Sequence, residues 1–385
     1  MVFSTIKRLY NAFSPSEVPT TQDHKPLKFG ILGAAAIAPP ALIIPAKTHP
    51  EVVVYAVAAR DLKRAEAFAK KHGIQKVYGG TNGYQELLND PEIDVIYNPL
   101  PNGLHYEWTM KALTAGKHVL LEKPATNTAE ETHQMFDLAE EKNLVLMEAF
   151  HPAIQRVKAI LDSGELGKIK SISNELMLPA GAMKKDDIRF NLSLGGGSFM
   201  DMGCYVLNCL RYLGGGNPTE ILSATAVPSH DPKVDRRMTT TLALPNDIIG
   251  TITSDLGIPW KFGFIPSMPQ IRTTVECESG SVSLLNFVLP TLYHTITVNE
   301  KNGTRSVTRK EKVYTFADGK MEGKGEEWWL TYRYMLEAFV DRLKGRTPQT
   351  WITKEDSVAN MEWIEKIYEK SGLGARPKST FVPNH

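Results

Sequence analysis

From residue 27 to residue 147 the chain alternates apolar runs with amphipathic helical stretches, and this order leaves few folds open. Runs at 27–32, 52–59, 77–78, 94–99, 118–121 and 144–147 read as strands. Between them, 33–47, 62–72, 82–89, 105–115 and 128–142 carry turn or helical patterns. Alternation of this kind gives a parallel sheet with right-handed crossovers. Strands covered on both faces read as apolar runs, and in open α/β sheets ligands bind beyond the strands' carboxyl ends. The run at 118–121 ends abruptly in Glu122-Lys123-Pro124. A lysine there faces the crevice, where an ammonium polarises a substrate oxygen or lowers the pKa of a neighbouring hydroxyl. The competing reading is an ordinary surface charge.

The first strand-to-helix turn reads Gly33-Ala34-Ala35-Ala36-Ile37-Ala38. This is the GxGxxG frame with alanine at the second and third glycine positions. Small residues let the backbone approach a pyrophosphate, and the helix N-terminus adds amides and a positive dipole end. Gly33, Ala34, Ala35, Ile37 and Ala38 are therefore expected to hold a dinucleotide. The second strand ends in Ala58-Ala59-Arg60-Asp61, with no acid at its tip. Arg60 suits a 2′-phosphate through paired hydrogen bonds and stacking on adenine, which favours NADP. Asp61 either caps the next helix or turns inward, and the second case leaves NAD open.

After the fourth strand comes Pro99-Leu100-Pro101-Asn102-Gly103-Leu104-His105, a loop fixed at the crevice by proline and glycine. Pro99, Leu100 and Glu122 are expected along the cofactor. Asn102 either caps the following helix or contacts the cofactor. His105 is either a helix-start residue satisfied locally or a cofactor or substrate contact.

Beyond residue 150 the pattern changes. Stretches at 169–178, 220–227, 238–244, 248–255, 270–276, 281–287, 292–299 and 305–316 alternate apolar and polar residues, as in a large, mostly antiparallel sheet with one covered face. A Gly195-Gly196-Gly197 run opens a helix over 198–213, on which Asp201 and Tyr205 stand four apart on one face. An acid and a phenol in this register can hold a substrate hydroxyl and move its proton; alternatively they are a partly exposed pair at a helix start. Helices are expected at 332–343 and 354–371, the last packing back on the first half, and Trp328 and Trp329 belong to an aromatic core or interface cluster. The expected organisation is an extension at 1–25, an N-terminal Rossmann dinucleotide-binding domain at 26–150, and a C-terminal α+β domain with a large open sheet at 151–385.

The extension holds a short amphipathic helix, with Phe3, Ile6, Leu9, Tyr10 and Phe13 on one side, then an extended 14–26. It lacks the apolar core of a secretory signal. It reads as a packing arm or extension, with a transit peptide as the alternative. Net charge is +1, from 44 basic and 43 acidic side chains, so no nucleic-acid or anionic-membrane footprint is visible. The three cysteines, Cys204, Cys209 and Cys277, form no metal pattern and read as small core residues of a reduced, cytoplasmic setting. No metal is expected.

These segments together resemble the glucose–fructose oxidoreductase/inositol dehydrogenase (Gfo/Idh/MocA) family. The carriers are GILGAAAIA at 30–38, AVAARD at 56–61, PLPNGLHYEW at 99–108, GKHVLLEKP at 116–124, LMEAF at 146–150 and GGGSFMDMGCY at 195–205. Many members have histidine at the position of Tyr205. Tyrosine there resembles the branch of dimeric dihydrodiol dehydrogenase and NADP-dependent D-xylose dehydrogenase. The resemblance implies Lys123 as catalytic lysine, Tyr205 as proton donor or acceptor and Asp201 as the residue that positions substrate or tunes the pair. It also implies a homodimer or larger homo-oligomer, built through the C-terminal sheet. The expected activity is NADP-dependent hydride transfer at a hydroxyl or carbonyl carbon of a sugar or cyclic diol. Two alternatives are a redox-neutral enzyme with tightly held cofactor (oxidation–elimination glycoside cleavage) and a non-catalytic NAD(P)-binding sensor. One departure stands out: Glu148-Ala149-Phe150 runs directly into His151-Pro152-Ala153, about one helical turn shorter than the family's usual aromatic–arginine segment. Arg189 is a candidate replacement cation for substrate, or an ordinary surface charge.

Overall fold

The computed structural model describes residues 2–19, 25–147, 151–303, 305–349 and 351–383. The first sheet contains β1 (Leu27–Leu32), β2 (Val52–Ala59), β3 (Lys76–Gly79), β4 (Val95–Asn98), β5 (His118–Leu121) and β6 (Leu146–Met147). All neighbours pair in parallel, in the order β3-β2-β1-β4-β5-β6. The order reverses between β1 and β4, which opens a crevice at their carboxyl ends. The bounds of β1, β2 and β5 coincide with their apolar runs, because strands covered on both faces are mainly apolar; the exceptions, Lys28 and His118, stand at the strand starts.

The helices are α1 (Val2–Phe13), α2 (Ile44–Lys47), α3 (Leu62–His72), α4 (Gly83–Leu88), α5 (His105–Thr114), α6 (Ala129–Glu141), α7 (Pro152–Asp162), α8 (Cys204–Gly214), α9 (Thr331–Leu343) and α10 (Lys354–Lys370). One face of the first sheet packs Leu32, Ile96 and Val119 against Leu87, Met110, Leu113 and Met135 of α4, α5 and α6. The other face is covered by distant sequence: Met335, Leu336, Phe339 and Val340 of α9 join Phe29, Ile31, Val57 and Leu120. Burial of side chains this size contributes roughly 1.5–3 kcal/mol each. The helix after β1 departs from expectation. Pro39–Ile43 forms a wide π turn before α2. Pro39 and Pro40 lack N–H groups, so neither can offer an amide to a ligand at this turn.

The second sheet contains β7 (Ile169–Pro179), β8 (Glu220–Pro228), β9 (Asp235–Leu244), β10 (Ile248–Ile258), β11 (Gln270–Cys277), β12 (Gly280–Leu285), β13 (Thr295–Asn302) and β14 (Arg305–Glu311). Their order is β14-β13-β12-β11-β7-β10-β9-β8; β7 and β10 are parallel and every other pair is antiparallel. Ile172, Leu242, Ile252 and Val275 point to one face, against Val157, Leu207, Leu210 and Ile364 of α7, α8 and α10. Helix α10 also touches the first half: Glu365 accepts from the Ala129 amide at 3.1 Å, and Lys354 pairs with Asp137 and Glu140. The expected mixed architecture of two sheets is thus the observed one.

Helix α1 leaves three side chains of its apolar side in solvent. Ile6, Tyr10 and Phe13 are exposed, whereas Arg8 and Ala12 face inward. The Arg8 guanidinium lies 3.8 Å from the Tyr314 ring centroid and donates to the Thr291 carbonyl at 3.2 Å. Flat stacking plus hydrogen bonding sets the helix rotation here, rather than the apolar stripe. All three cysteines are buried and stand outside any disulfide. No helix among the described residues is long and apolar enough to cross a membrane. The shortened junction at Glu148-Ala149-Phe150 lies outside the described residues; His151 follows, capping α7 by accepting from the Ala153 amide at 3.1 Å.

Candidate active site

The carboxyl end of β5 delivers Lys123 into a crevice of about 680 Å³, lined also by Ile37, Pro99, Leu100, Asn102, Glu122, Ile188, Arg189, Leu194, Asp201, Tyr205 and Tyr332. Residues far apart in sequence therefore meet where sheet topology predicts a ligand. The Lys123 Nζ donates to the Asp201 carboxylate at 2.7 Å and to the Asp201 backbone carbonyl at 2.8 Å. It also lies 4.9 Å from the Tyr205 ring centroid. The second Asp201 oxygen accepts from Arg189 Nε at 2.7 Å, and Arg189 Nη1 donates to Asp187 at 3.0 Å.

Charge is balanced inside this cluster. Burial pushes the Asp201 carboxyl up, but the Lys123 and Arg189 cations outweigh it and hold the group near 2. Burial alone would lower the Lys123 ammonium; the Asp201 carboxylate reverses that and raises it. Lys123 is therefore a fixed cation at neutral pH. Behind it, Glu122 is buried and accepts from Tyr97 Oη at 2.7 Å. Burial raises the Glu122 carboxyl, against the pull of Tyr97 and Lys123.

The dinucleotide frame has the geometry its spacing requires. Gly33 sits at φ +87°, and a Cβ there would approach Leu100 Cδ2 to 3.2 Å. Its amide donates to the Ala58 carbonyl at 2.7 Å, closing the turn onto β2. Ala34 and Ala38 are buried, Ala35 and Ile37 half-buried. At the tip of β2, Arg60 is exposed and contacts the Tyr84 hydroxyl. Arg64, one helical turn on, donates to the Ala34 carbonyl at 3.1 Å. The Asp61 carboxylate accepts from the Lys63 and Arg64 amides at 2.9 and 3.3 Å, so it caps α3. This resolves the ambiguity at Asp61 and leaves arginines as the charged groups at that tip. A conformation open only to glycine, a strand tip without an inward acid and an exposed guanidinium fit a phosphorylated dinucleotide.

Several roles differ from the sequence reading. His105 is buried, with Nδ1 2.8 Å from the Pro124 carbonyl and Nε2 2.7 Å from the Leu100 carbonyl. Burial lowers its imidazole to about 4, and the two carbonyls oppose that. The ring is wedged between two carbonyls behind the crevice wall, and its single N–H at neutral pH donates to one of them, so His105 braces the loop instead of making the direct contact that was one of its two expected roles. Asn102 Nδ2 donates to the Gly195 carbonyl at 3.0 Å, tying the two sides of the crevice together rather than capping a helix. Arg189 is neither a plain surface charge nor a free cation, since its Nε and Nη1 serve Asp201 and Asp187. Tyr332, at the start of α9, lines the crevice, whereas its sequence context suggests a helix start beside the Trp328–Trp329 core or interface cluster. Its one local signal was a phenol at a helix N-terminus. Lys123, Tyr205 and Tyr332 also wall a second, narrow chamber, otherwise lined mainly by apolar side chains such as Leu121, Ile154, Phe287 and Met335.

Comparison with known proteins agrees with this geometry. Residues 27–150 match the model of the oxidoreductase family with an NAD-binding Rossmann fold, and 154–283 match the GFO/IDH/MocA C-terminal domain. The chain is 34% identical over 356 residues to D-xylose 1-dehydrogenase (NADP(+)) 2 of Haloferax volcanii, spanning 91% of this chain and 98% of that protein. It is 33% identical over 238 residues to trans-1,2-dihydrobenzene-1,2-diol dehydrogenase of Bos taurus, spanning 60% of this chain and 68% of that one. In fold it is similar to KijD10, a 3-ketoreductase of Actinomadura kijaniata solved with NADP and TDP-benzene: TM-score 0.74, 24% identity, 93% of this chain and 100% of that chain covered. With a Rossmann half, a mixed-sheet half and the lysine and tyrosine meeting between them, this chain belongs to the GFO/IDH/MocA oxidoreductase family.

Proposed function

We propose that the protein is an NADP-dependent oxidoreductase acting on a hydroxyl or carbonyl carbon of a sugar or cyclic diol. The observation that carries this is the meeting of Lys123, Asp201 and Tyr205 in one crevice beside the dinucleotide frame. The bound nicotinamide supplies the hydride acceptor or donor. Gly33 and the small residues after it admit the pyrophosphate, and Arg60 meets the 2′-phosphate. Tyr205 takes the hydroxyl proton when substrate is oxidised and returns it on reduction. The Lys123 cation beside the ring stabilises negative charge that develops on the phenol oxygen as the proton moves. Asp201 keeps Lys123 charged and aimed, and Arg189 holds Asp201 from the other side. Positioned proton transfer of this kind contributes roughly 10² to 10⁴ in rate.

The test is turnover with NADP(H) on pentose aldoses and cyclic trans-diols, in the wild type and in Lys123→Met and Tyr205→Phe. The reading requires activity in the wild type and its loss in both variants with cofactor binding intact. NADP binding without any turnover would favour the sensor alternative; cofactor retained through desalting would favour the redox-neutral one.

The same reading extends to assembly and setting. The uncovered face of the second sheet carries short polar side chains such as Ser173, Thr251 and Thr274, beside a loop with Phe262, Phe264 and Met268 at 87%, 70% and 76% exposure. A flat face flanked by exposed apolar groups suits a homodimer, and sedimentation of the wild type against Phe262→Asp tests it. Three buried thiols with no disulfide among them suit the cytoplasm.

A further inference from the structure

The turn that carries Asp201 lacks the usual means of holding a helix start. Phe199–Gly203 forms a wide π turn before α8, and neither Ser198 nor Gly203 supplies a side-chain cap. The first amides of a helix have no partner within it and need one elsewhere. Here the partners come from remote sequence. Phe199 N donates to Asp235 Oδ2 at 2.7 Å, and Met200 N donates to Tyr368 Oη at 3.1 Å. The Tyr368 hydroxyl in turn donates to Asp235 Oδ1 at 2.7 Å. Both side chains are fully buried, Asp235 at the first residue of β9 and Tyr368 in α10. Gly197, at φ +144°, admits them: a Cβ there would stand 2.4 Å from Asp235 Oδ1 and 2.5 Å from Tyr368 Oη.

We infer that Asp235 and Tyr368 are positioning residues for the active site, a remote cap that sets the Asp201 turn and through it the Lys123 ammonium. The coupling is direct, because Lys123 donates to the backbone carbonyl of Asp201 as well as to its carboxylate. A shift of the turn therefore moves the cation beside Tyr205. This inference rests on the functional reading above.

The cap needs Asp235 as a carboxylate, since both of its oxygens accept. Burial raises the Asp235 carboxyl to about 6, despite the hydrogen bonds from Tyr368 and Phe199 and the Arg376 cation. The ionisable groups facing it are Tyr368 of α10 and Arg376, whose guanidinium lies 3.8 Å from the Tyr368 ring centroid; the turn itself contributes amides. A folded-state value above the unfolded one means that ionised Asp235 costs the fold stability as pH rises through about 6. A group that opposes stability while bonding the active-site turn fits positioning better than scaffolding.

The experiment follows kcat and hydrogen exchange of residues 197–203 against pH in the full-length NADP-bound protein, as wild type, Asp235→Asn and Tyr368→Phe. Exchange is corrected for its intrinsic pH dependence. In the wild type, kcat and protection of the turn are expected to fall together below about pH 6. Asp235→Asn is expected to lack that limb in both readouts. Tyr368→Phe is expected to lower kcat by roughly 10- to 100-fold with KM little changed. An acid limb that persists in Asp235→Asn, with turn protection equal to wild type in both variants, overturns the inference. Exchange reads the cap without turnover, so an inactive protein with a pH-dependent turn refutes the proposed reaction and not the cap.

Discussion

Replacing Asp201 by asparagine tests the electrostatics of the site, and its size can be worked out in two ways. The substitution keeps shape and removes one charge, leaving Lys123 without its paired carboxylate and Arg189 with Asp187 alone. Removing one partner of a buried pair costs about 3–5 kcal/mol. The Asp201, Lys123 and Arg189 side chains are 15%, 19% and 31% exposed, so the lower end applies. The second route uses linkage. The Asp201 carboxyl stands near 2 against an ordinary value of 3.8, and at about 1.4 kcal/mol per pH unit this is about 2 kcal/mol. Because the folded value is depressed, the contribution is complete above about pH 5 and fades as pH falls through 2. It should shrink to roughly half by about pH 3. Guanidinium unfolding of wild type and Asp201→Asn, compared at constant slope, reads the gap. A gap of about 2–3 kcal/mol at neutral pH that narrows on acidification is expected. A gap below about 1 kcal/mol, or one unchanged down to about pH 3, would refute the charge balance drawn here.

Three further outcomes follow from the cofactor half of the site. Arg60→Ala should weaken NADPH binding by roughly 10- to 100-fold in calorimetric titration and leave NADH nearly unchanged, as expected for loss of a charge-assisted contact. Asp61→Ala should cost about 1 kcal/mol of stability without moving that preference, because Asp61 caps α3. Gly33→Val should lower both stability and cofactor affinity, by at least the roughly 1–2 kcal/mol of a left-handed backbone, since φ is +87° and Leu100 leaves no slack.

The sequence disclosed what is local. Apolar runs marked β1, β2 and β5 to the residue, and Asp61 with its following amides marked the start of α3. Lys123 and Tyr205 were legible because one ends a doubly buried strand and the other stands four residues from Asp201. Three things were hidden because long-range packing decides them. Helix α7 carries no familiar cap signal: it follows the shortened junction, and its cap is His151 rather than Ser, Thr, Asp or Asn. Tyr332 reaches the crevice only because α9 crosses back to cover the first sheet. The Asp235–Tyr368 pair joins residues 133 apart, and no period in the sequence reports such a contact. His105 shows the converse: its position at the crevice loop suggested a ligand, and burial against two carbonyls turned it into a brace.

The most direct test of the central claim is the rate of NADP-linked turnover in Tyr205→Phe, measured at saturating cofactor beside the wild type. The account predicts a fall of roughly 10² to 10⁴ in kcat with NADPH affinity unchanged. Turnover equal to wild type would show that the proton moves through another group and would contradict the assignment of this crevice as the catalytic centre.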